Sequence, residues 1–372
     1  MEMRPLPFHA SMDEYEAQAD ALLAACRAGD DDAFRRVREY HPRLRDLPIE
    51  SVSVDEVSGD DARLALARVY GFDDWDGLAA FAEEMTREDS PAARFDAAVE
   101  AVVAGDLDAL RGLLRDDPAL VQARSLRPHH ATLLHYVAAN GVEGFRQRTP
   151  PNAVEVAKAL LEAGAEPDAL AEMYDGRYPT MSMLVSSCHP ADAGLQVALA
   201  ETLLDHGAAI EGTEEGLWKS PLMTALAFGY GDTAAALARR GARADHLAAA
   251  AGLGDAEAAA RLLPAADALT RHRALALAAQ HGHADIVRLL LDAGESPDRY
   301  NPEGNHSHSV PLHQAVWASH GEVVRLLVER GARLDIPDLM YHGTPLDWAV
   351  YGERAEMEAI LRERGAPAGH AG

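Results

Sequence analysis

Four histidines fall within fifteen residues of one stretch, GNHSHSVPLHQAVWASHGE, which covers residues 304–322. They are His306, His308, His313 and His320. Imidazole is the commonest metal ligand and a frequent general base, so the stretch raises the question of a metal or catalytic site. His306 and His308 would share one face of an extended hairpin, and His342 could supply a third ligand to zinc. A polar loop that contacts a partner explains the same residues, and we adopt this second interpretation, without a metal.

A second group of residues could support acid–base chemistry if the chain is an enzyme. Its members are His135, Tyr136, Asn140, His189 and Asp347. Two inserted segments, GFRQRTPPNA at 144–153 and CHPADAGLQV at 188–197, could roof a pocket beside them. Asp347 could instead cap a helix. The chain has no GxSxG, HExxH or GxxxxGKS motif, and no GxGxxG follows a strand pattern. The sequence therefore favours a non-catalytic protein without a cofactor, with an enzyme or a small-molecule binder as the alternative.

Charge and composition narrow the classes of partner. Among 372 residues, 60 are Asp or Glu and 34 are Lys or Arg, which gives a formal net charge of -26. Such an excess repels phosphate backbones and anionic lipid, so neither nucleic acid nor a membrane is expected as a partner. No apolar run resembles a secretory signal or reaches the roughly 20 residues of a membrane span. With only Cys26 and Cys188, we expect a protein of the reducing cytoplasm.

A repeat organises most of the chain. The phrase AAQHGHADIVRLLLDAGESPD (278–298) is echoed by AVWASHGEVVRLLVERGARLD (315–335), and fainter copies precede and follow them. Two of the steps between the glycines that end these phrases are 34 residues long, from Gly207 to Gly241 and from Gly331 to Gly365. The pattern of each unit predicts two short helices. Proline is favoured in the first turn of a helix, and glycine is favoured just after a helix end, where the backbone is left-handed.

These phrases, with VPLH and GTPLDWAVYG opening two of the units, resemble the ankyrin repeat. The resemblance covers about residues 92–366 and implies an all-α solenoid of about eight units over residues 91–372. Residues 1–90 predict a small helical N-terminal domain, similar to the segment that precedes ankyrin arrays in many bacterial proteins. It would either cap the first unit or form a separate docking module. The resemblance also implies structural roles for His313 and His320, which match the histidines that hold one unit against the next.

The resemblance further implies a recognition scaffold that binds a protein or peptide in a concave groove of finger loops and first helices. Trp218, Trp317 and Tyr351 would anchor the partner, since aromatic side chains dominate interfaces. Arg127 and Arg177 would read negative charge, which also allows a small anionic ligand. The groove residues expected from the alignment are Arg127, His129, Tyr174, Arg177, Tyr178, Trp218, Phe228, His281, His306, His308, Trp317, Tyr341, His342, Trp348 and Tyr351.

Overall fold

The computed structural model describes residues 10–45, 57–87, 90–212 and 220–367. The chain forms two compact units, Met1–Ala208 and Ala209–Gly372. Helices dominate both units, and the expected all-α repeat fold with a helical N-terminal region is confirmed. The division at residue 90 rests on the change in sequence character and stays a prediction. In the described residues, no helix is long and apolar enough to cross a bilayer.

Within residues 10–45 and 57–87 the first unit has five helices, and capping side chains mark the starts of four of them. Ser58 and Asp61 form a capping box, and the Asp74 carboxylate accepts a hydrogen bond from Gly77 N at 2.8 Å. Tyr15, Tyr70 and Phe81 lie in the main apolar core of this region. The helices are α1 Met12–Arg27, α2 Asp31–Tyr40, α3 Pro42–Arg45, α4 Gly59–Val69 and α5 Trp75–Met85.

Short helix pairs and one hairpin complete the first unit. The hairpin is antiparallel, with Leu170 opposite Pro179 and Met173 opposite Gly176. Its elements are α6 Pro91–Ala104, α7 Leu107–Asp116, α8 Leu133–Val137, α9 Ala153–Glu162, β1 Leu170–Met173, β2 Gly176–Pro179, α10 Thr180–Leu184, α11 Cys188–Asp192 and α12 Gln196–Asp205, with 3-10 turns at Pro118–Gln122 and Gly144–Arg146.

The second unit repeats one motif of two helices. Proline opens α13, α19 and α21 at the first turn, as the sequence predicts. The small side chains of Ala274 and Ala278 let neighbouring helices approach closely, and both are fully buried. The helices are α13 Pro221–Ala227, α14 Gly231–Arg239, α15 Leu247–Leu253, α16 Ala256–Leu262, α17 Ala268–His281, α18 Ala284–Asp292, α19 Pro311–Trp317, α20 Gly321–Glu329, α21 Pro345–Tyr351 and α22 Ala355–Glu363, with a 3-10 turn at Leu263–Ala265.

Histidines tie successive repeats of the second unit together. Nε2–H of His313 donates to Gly343 O at 3.1 Å, and Nε2–H of His320 donates to Gln280 O at 3.0 Å. Nδ1 of His313 accepts from Val310 N at 3.3 Å, which fixes the neutral ring in one tautomer. The structural role expected for His313 and His320 is confirmed. His283 makes the equivalent bond to Gly252 O on the preceding repeat, whereas His281 donates to Leu226 O, two repeats earlier.

Two glycines at helix ends allow a matched test of this packing. Gly282 and Gly294 both have left-handed φ angles, +82° and +90°. A Cβ on Gly282 would lie 2.6 Å from His320 Nδ1, whereas a Cβ on Gly294 would meet no atom within 4 Å. We expect Gly294→Ala to lower the free energy of unfolding by about 1–2 kcal/mol through backbone strain alone. Gly282→Ala should lower the free energy of unfolding by about 1–3 kcal/mol more than Gly294→Ala does, because its Cβ overpacks the contact with His320. Urea unfolding followed by circular dichroism measures both, and equal losses would contradict the close packing of His320.

Candidate functional site

Large aromatic side chains remain exposed on the last repeats of the second unit. Trp317 is 43% exposed, Tyr341 75% and Tyr351 85%. The rings of Trp317 and half-buried Trp348 meet edge to face with centroids 5.9 Å apart, and Tyr351 follows Trp348 by one helical turn on α21. We call Trp317, Tyr341, Trp348 and Tyr351 the aromatic face. Apolar surface of this kind, standing out from a folded unit, typically marks an interaction site.

A buried aspartate fixes the loop that carries Tyr341. The Asp338 carboxylate accepts hydrogen bonds from Met340 N at 2.9 Å, Tyr341 N at 2.7 Å and Gly343 N at 2.9 Å. It also accepts from Trp348 Nε1 at 3.0 Å. Burial alone would raise the pKa of Asp338, but these hydrogen bonds outweigh it and hold the pKa below its ordinary value. One ionised carboxylate therefore orients both the loop tip and the indole of the aromatic face.

The long loop of residues 301–309 folds back onto its own repeats. Nε2–H of His306 donates to Ala227 O at 2.9 Å, and Arg273 Nε donates to Asn305 Oδ1 at 3.1 Å. Asn305 and Ser309 are buried, so this segment is not the free fingertip that its length suggests. His308 is half-buried, with its ring centroid 5.9 Å from that of Trp348.

The arrangement of the histidines does not assemble the zinc site considered from the sequence. His306 is engaged with a backbone carbonyl, and His342 is exposed at a loop position with φ of +57°. Within residues 10–45, 57–87, 90–212 and 220–367, no three His, Cys, Asp or Glu side chains converge as metal ligands would.

Arg127 and His129 lie inside the first unit, not at its surface, so their placement in an exposed groove is wrong. Arg127 Nη1 donates to Asp96 Oδ1 at 2.8 Å, and its Nε contacts Glu143. Nε2 of His129 lies 3.5 Å from Glu143 Oε1, and its Nδ1 accepts from Ala131 N at 3.0 Å. The guanidinium of Arg127 is thus buried and paired within the protein, so it cannot bind an anionic partner.

Arg146 completes this buried ionic cluster, which consists of Asp96, Arg127, Glu143 and Arg146. Its Nη2 donates to Asp96 Oδ2 at 2.9 Å and to Glu100 Oε1 at 2.7 Å. Two carboxylates and two guanidinium groups balance in charge, which makes their burial tolerable. Burial alone would raise the pKa values of Asp96 and Glu143, but the two arginines hold both below their ordinary range. Arg146 comes from the segment 144–153, which therefore braces the interior instead of roofing a pocket.

The acid–base candidates of the first unit are engaged in structural hydrogen bonds. His135 is fully buried, accepts from Thr132 N at 3.3 Å through Nδ1, and donates to Tyr178 O at 3.2 Å through Nε2. Burial lowers the pKa of His135 to about 4. Burial raises the pKa of Tyr136, whose hydroxyl donates to Glu143 Oε1 at 3.4 Å.

Asn140 and His189 occupy other positions in the first unit. Asn140 donates to Ser186 Oγ at 2.9 Å and accepts from the Tyr174 hydroxyl at 2.6 Å, while His189 is half-buried on α11. The four candidates of this unit are therefore not gathered in one open pocket.

Asp347 caps helix α21 of the second unit. Its Oδ2 accepts from Thr344 N and Thr344 Oγ1, both at 2.8 Å. This confirms the helix-capping alternative for Asp347.

The other expected groove residues differ in exposure. Tyr174 and Arg177 are exposed on the hairpin and Tyr178 is half-buried. Phe228 is exposed at the end of α13, and half-buried His281 donates to Leu226 O. Trp218 lies outside the described residues.

Sequence reasoning missed Asp338, Asp96 and Glu143. An aspartate before the tight loop LMYHG could have indicated the first, since aspartate commonly accepts from the backbone of a following turn. A lone aspartate in the apolar run FDAAVEAVV could have indicated the second. No local signal distinguishes Glu143 from a surface glutamate.

The family model described as ankyrin repeats (3 copies) matches residues 245–338. Cyclin-dependent kinase 4 inhibitor B of Mus musculus is 33% identical over 137 residues, which are 37% of this chain and 82% of that protein. Ankyrin repeat-containing protein P1E11.10 of Schizosaccharomyces pombe is 37% identical over 62 residues, 17% of this chain and only 28% of that protein. Among solved structures, the human ASB11 ankyrin repeat domain is 22% identical, with 73% of this chain and 98% of that chain covered and a TM-score of 0.38.

Proposed function

Since the chain belongs to the ankyrin-repeat family, we propose that it is a non-catalytic scaffold that binds a protein or peptide through its second unit. The exposed aromatic face carries this proposal. Trp317 and Tyr351 are the principal anchors, because aromatic side chains that are rigid and partly exposed supply large contact area at low entropic cost. Tyr341 adds a third ring on a loop held by Asp338.

Preorganisation strengthens this assignment. Trp317 is packed against Trp348 and lies under the guanidinium of Arg354, whose central carbon is 5.5 Å from the Trp317 ring centroid. Trp348 is held in turn by Asp338. A partner that docks here meets a pair of indole rings that are already ordered, so these two side chains lose little conformational entropy on binding.

The named relatives favour a protein as the partner. The mouse protein is named as an inhibitor of a cyclin-dependent kinase, and we extend to this chain only the broader inference that a folded protein or an exposed peptide is bound. Arg177, exposed on the hairpin of the first unit, is the remaining candidate for contact with a negatively charged partner or small anion. The free thiols of Cys26 and Cys188 fit a reducing compartment, and we propose the cytoplasm.

Native mass spectrometry of the chain purified gently from its own host tests the proposal. We expect a bound protein on the wild-type chain that is absent from Trp317→Ala/Tyr351→Ala. Truncation of an interface anchor costs about 2 kcal/mol or more, about thirtyfold in Kd. Tyr351→Ala alone is the cleaner variant, because a ring that is 85% exposed contributes little to the fold.

Leu269→Ala is the matched control, since Leu269 is also an exposed large side chain of the second unit but lies at the start of α17. A partner retained equally by all variants would place binding away from the aromatic face. A chain that carries only a small molecule would support the alternative of a small-molecule binder or enzyme.

A further inference from the structure

A second surface with its own chemistry lies in the first unit. A groove of about 900 Å³ opens between helix α5, the start of helix α6 and the loop of residues 123–130. Its lining shares none of the residues of the aromatic face. The apolar part of the groove comprises Phe72, Ala80, Phe81, Phe95, Leu126 and Pro128. Phe72, Phe81 and Phe95 are only 3–5% exposed, so the apolar surface available to an incoming chain is mainly that of Leu126, which is 53% exposed.

The aromatic floor of the groove is rigid. Phe72 and Phe81 pack with centroids 5.0 Å apart. The central carbon of the Arg127 guanidinium lies 4.4 Å from the Phe81 centroid and 5.8 Å from that of Phe72. Since Arg127 is fixed by Asp96 and Glu143, the ionic cluster braces these two rings. The groove is thus formed before any ligand arrives.

Negative charge dominates the rim. The rim has four carboxylates, from Asp73, Asp74, Glu84 and Glu172. Its basic side chains are one guanidinium, from Arg124, and one imidazole, from His130. Asp74 is engaged in capping α5, and Glu84 pairs with Arg87 at 2.9 Å. Asp73 and Glu172 are exposed and form no ion pair with any residue that the structure describes, although Arg177 lies opposite Glu172 in the hairpin register and Arg68 Nε donates to Asp73 O at 3.3 Å. Two carboxylates are therefore available to an oppositely charged ligand beside an apolar floor.

We propose that this groove docks a short amphipathic segment of a partner protein that presents large apolar side chains flanked by Lys or Arg. The apolar side chains lie against Leu126 and Ala80, above the buried rings of Phe72 and Phe81, and the basic flanks pair with Asp73 and Glu172. Recognition of an apolar helix face in a groove with complementary charge at its edge is a general mode of peptide binding. This site is independent of the aromatic face, so each can fail without the other.

Selection from a phage-displayed library of random 12-residue peptides, panned on the full-length chain, tests the proposal. We expect enriched sequences that combine large apolar residues with Lys or Arg. In binding measurements with a synthetic copy of an enriched peptide, Leu126→Asp should weaken Kd at least tenfold. Asp73→Lys should weaken it severalfold, and the effect of Asp73→Lys should shrink at high salt, because exposed charges are screened.

Each variant has a matched control. Leu269→Asp introduces the same change at a leucine that is 54% exposed in the second unit, and Asp76→Lys reverses an exposed charge on α5 outside the groove. Both should leave Kd within twofold of wild type, and circular dichroism should show the same helix content for all four variants.

Three results would overturn the proposal. The first is that no peptide is enriched on wild type over Leu126→Asp. The second is that enriched peptides are acidic or uncharged and insensitive to Asp73→Lys. The third is that binding is lost in Trp317→Ala/Tyr351→Ala but kept in Leu126→Asp, which would place the peptide on the aromatic face and support only the proposed function.

Discussion

Replacing Arg146 with alanine is expected to lower the free energy of unfolding of the first unit by about 3–5 kcal/mol. The reason is the charge imbalance left behind. Arg146 donates to buried Asp96 and to Glu100, whose side chain is 46% exposed, and it lies beside buried Glu143. Without the guanidinium, two buried carboxylates share the single positive charge of Arg127. Urea unfolding at pH 7, followed by circular dichroism at 222 nm, measures the loss.

Two further variants define the physical cause. Arg87→Ala removes an arginine that pairs with Glu84 at 2.9 Å but is largely exposed, so it should cost less than about 1 kcal/mol. Arg146→Lys keeps the positive charge but loses the planar guanidinium that donates several hydrogen bonds. Its loss of unfolding free energy should therefore lie between those of Arg146→Ala and Arg87→Ala. If Arg146→Ala and Arg87→Ala cost the same, burial of the cluster is not what makes it stabilising.

Stability should also fall as the pH is lowered from 7 to 5, because several histidines are buried in the neutral form. Burial lowers the pKa of His135 and of His313 to about 4, whereas the unfolded chain has histidine pKa values near 6.5. The folded state therefore binds fewer protons than the unfolded state below pH 6.5, and protonation favours unfolding. Each of these two histidines contributes about 2 kcal/mol of this loss at pH 5.

Between pH 7 and pH 5 the change in stability comes mainly from histidine protonation, since carboxylates of the unfolded chain titrate near pH 4. Urea midpoints at pH 7 and pH 5 give the dependence. In His313→Gln, the free energy of unfolding should fall by about 2 kcal/mol less between pH 7 and pH 5 than in the wild type, because the titrating ring is gone. A free energy of unfolding that is the same at both pH values would contradict the buried neutral histidines.

Local signals in the sequence predict the repeat fold well. Pro311 and Pro345 open helices α19 and α21, and Gly282 and Gly331 follow helix ends with left-handed φ angles, because these preferences are set within a few residues. The roles of His313 and His320 follow from the same repeat phrase.

The interior of the first unit could not be predicted in the same way. The repeat position of Arg127 predicts an exposed fingertip, but its partners Asp96 and Glu143 lie 31 and 16 residues away in sequence. Only the folded arrangement brings these charges together. The loop of residues 301–309 shows the same limit, since His306 is fixed by the carbonyl of Ala227, 79 residues earlier.

The contact of Arg127 with Phe72 and Phe81 bears on how this chain can be divided into fragments. A cut at residue 90, where the sequence changes character, would separate the guanidinium from both rings and open the ionic cluster to water. The N-terminal helices and the first repeats thus share one interior, and a fragment that begins at the first repeat lacks part of its own core.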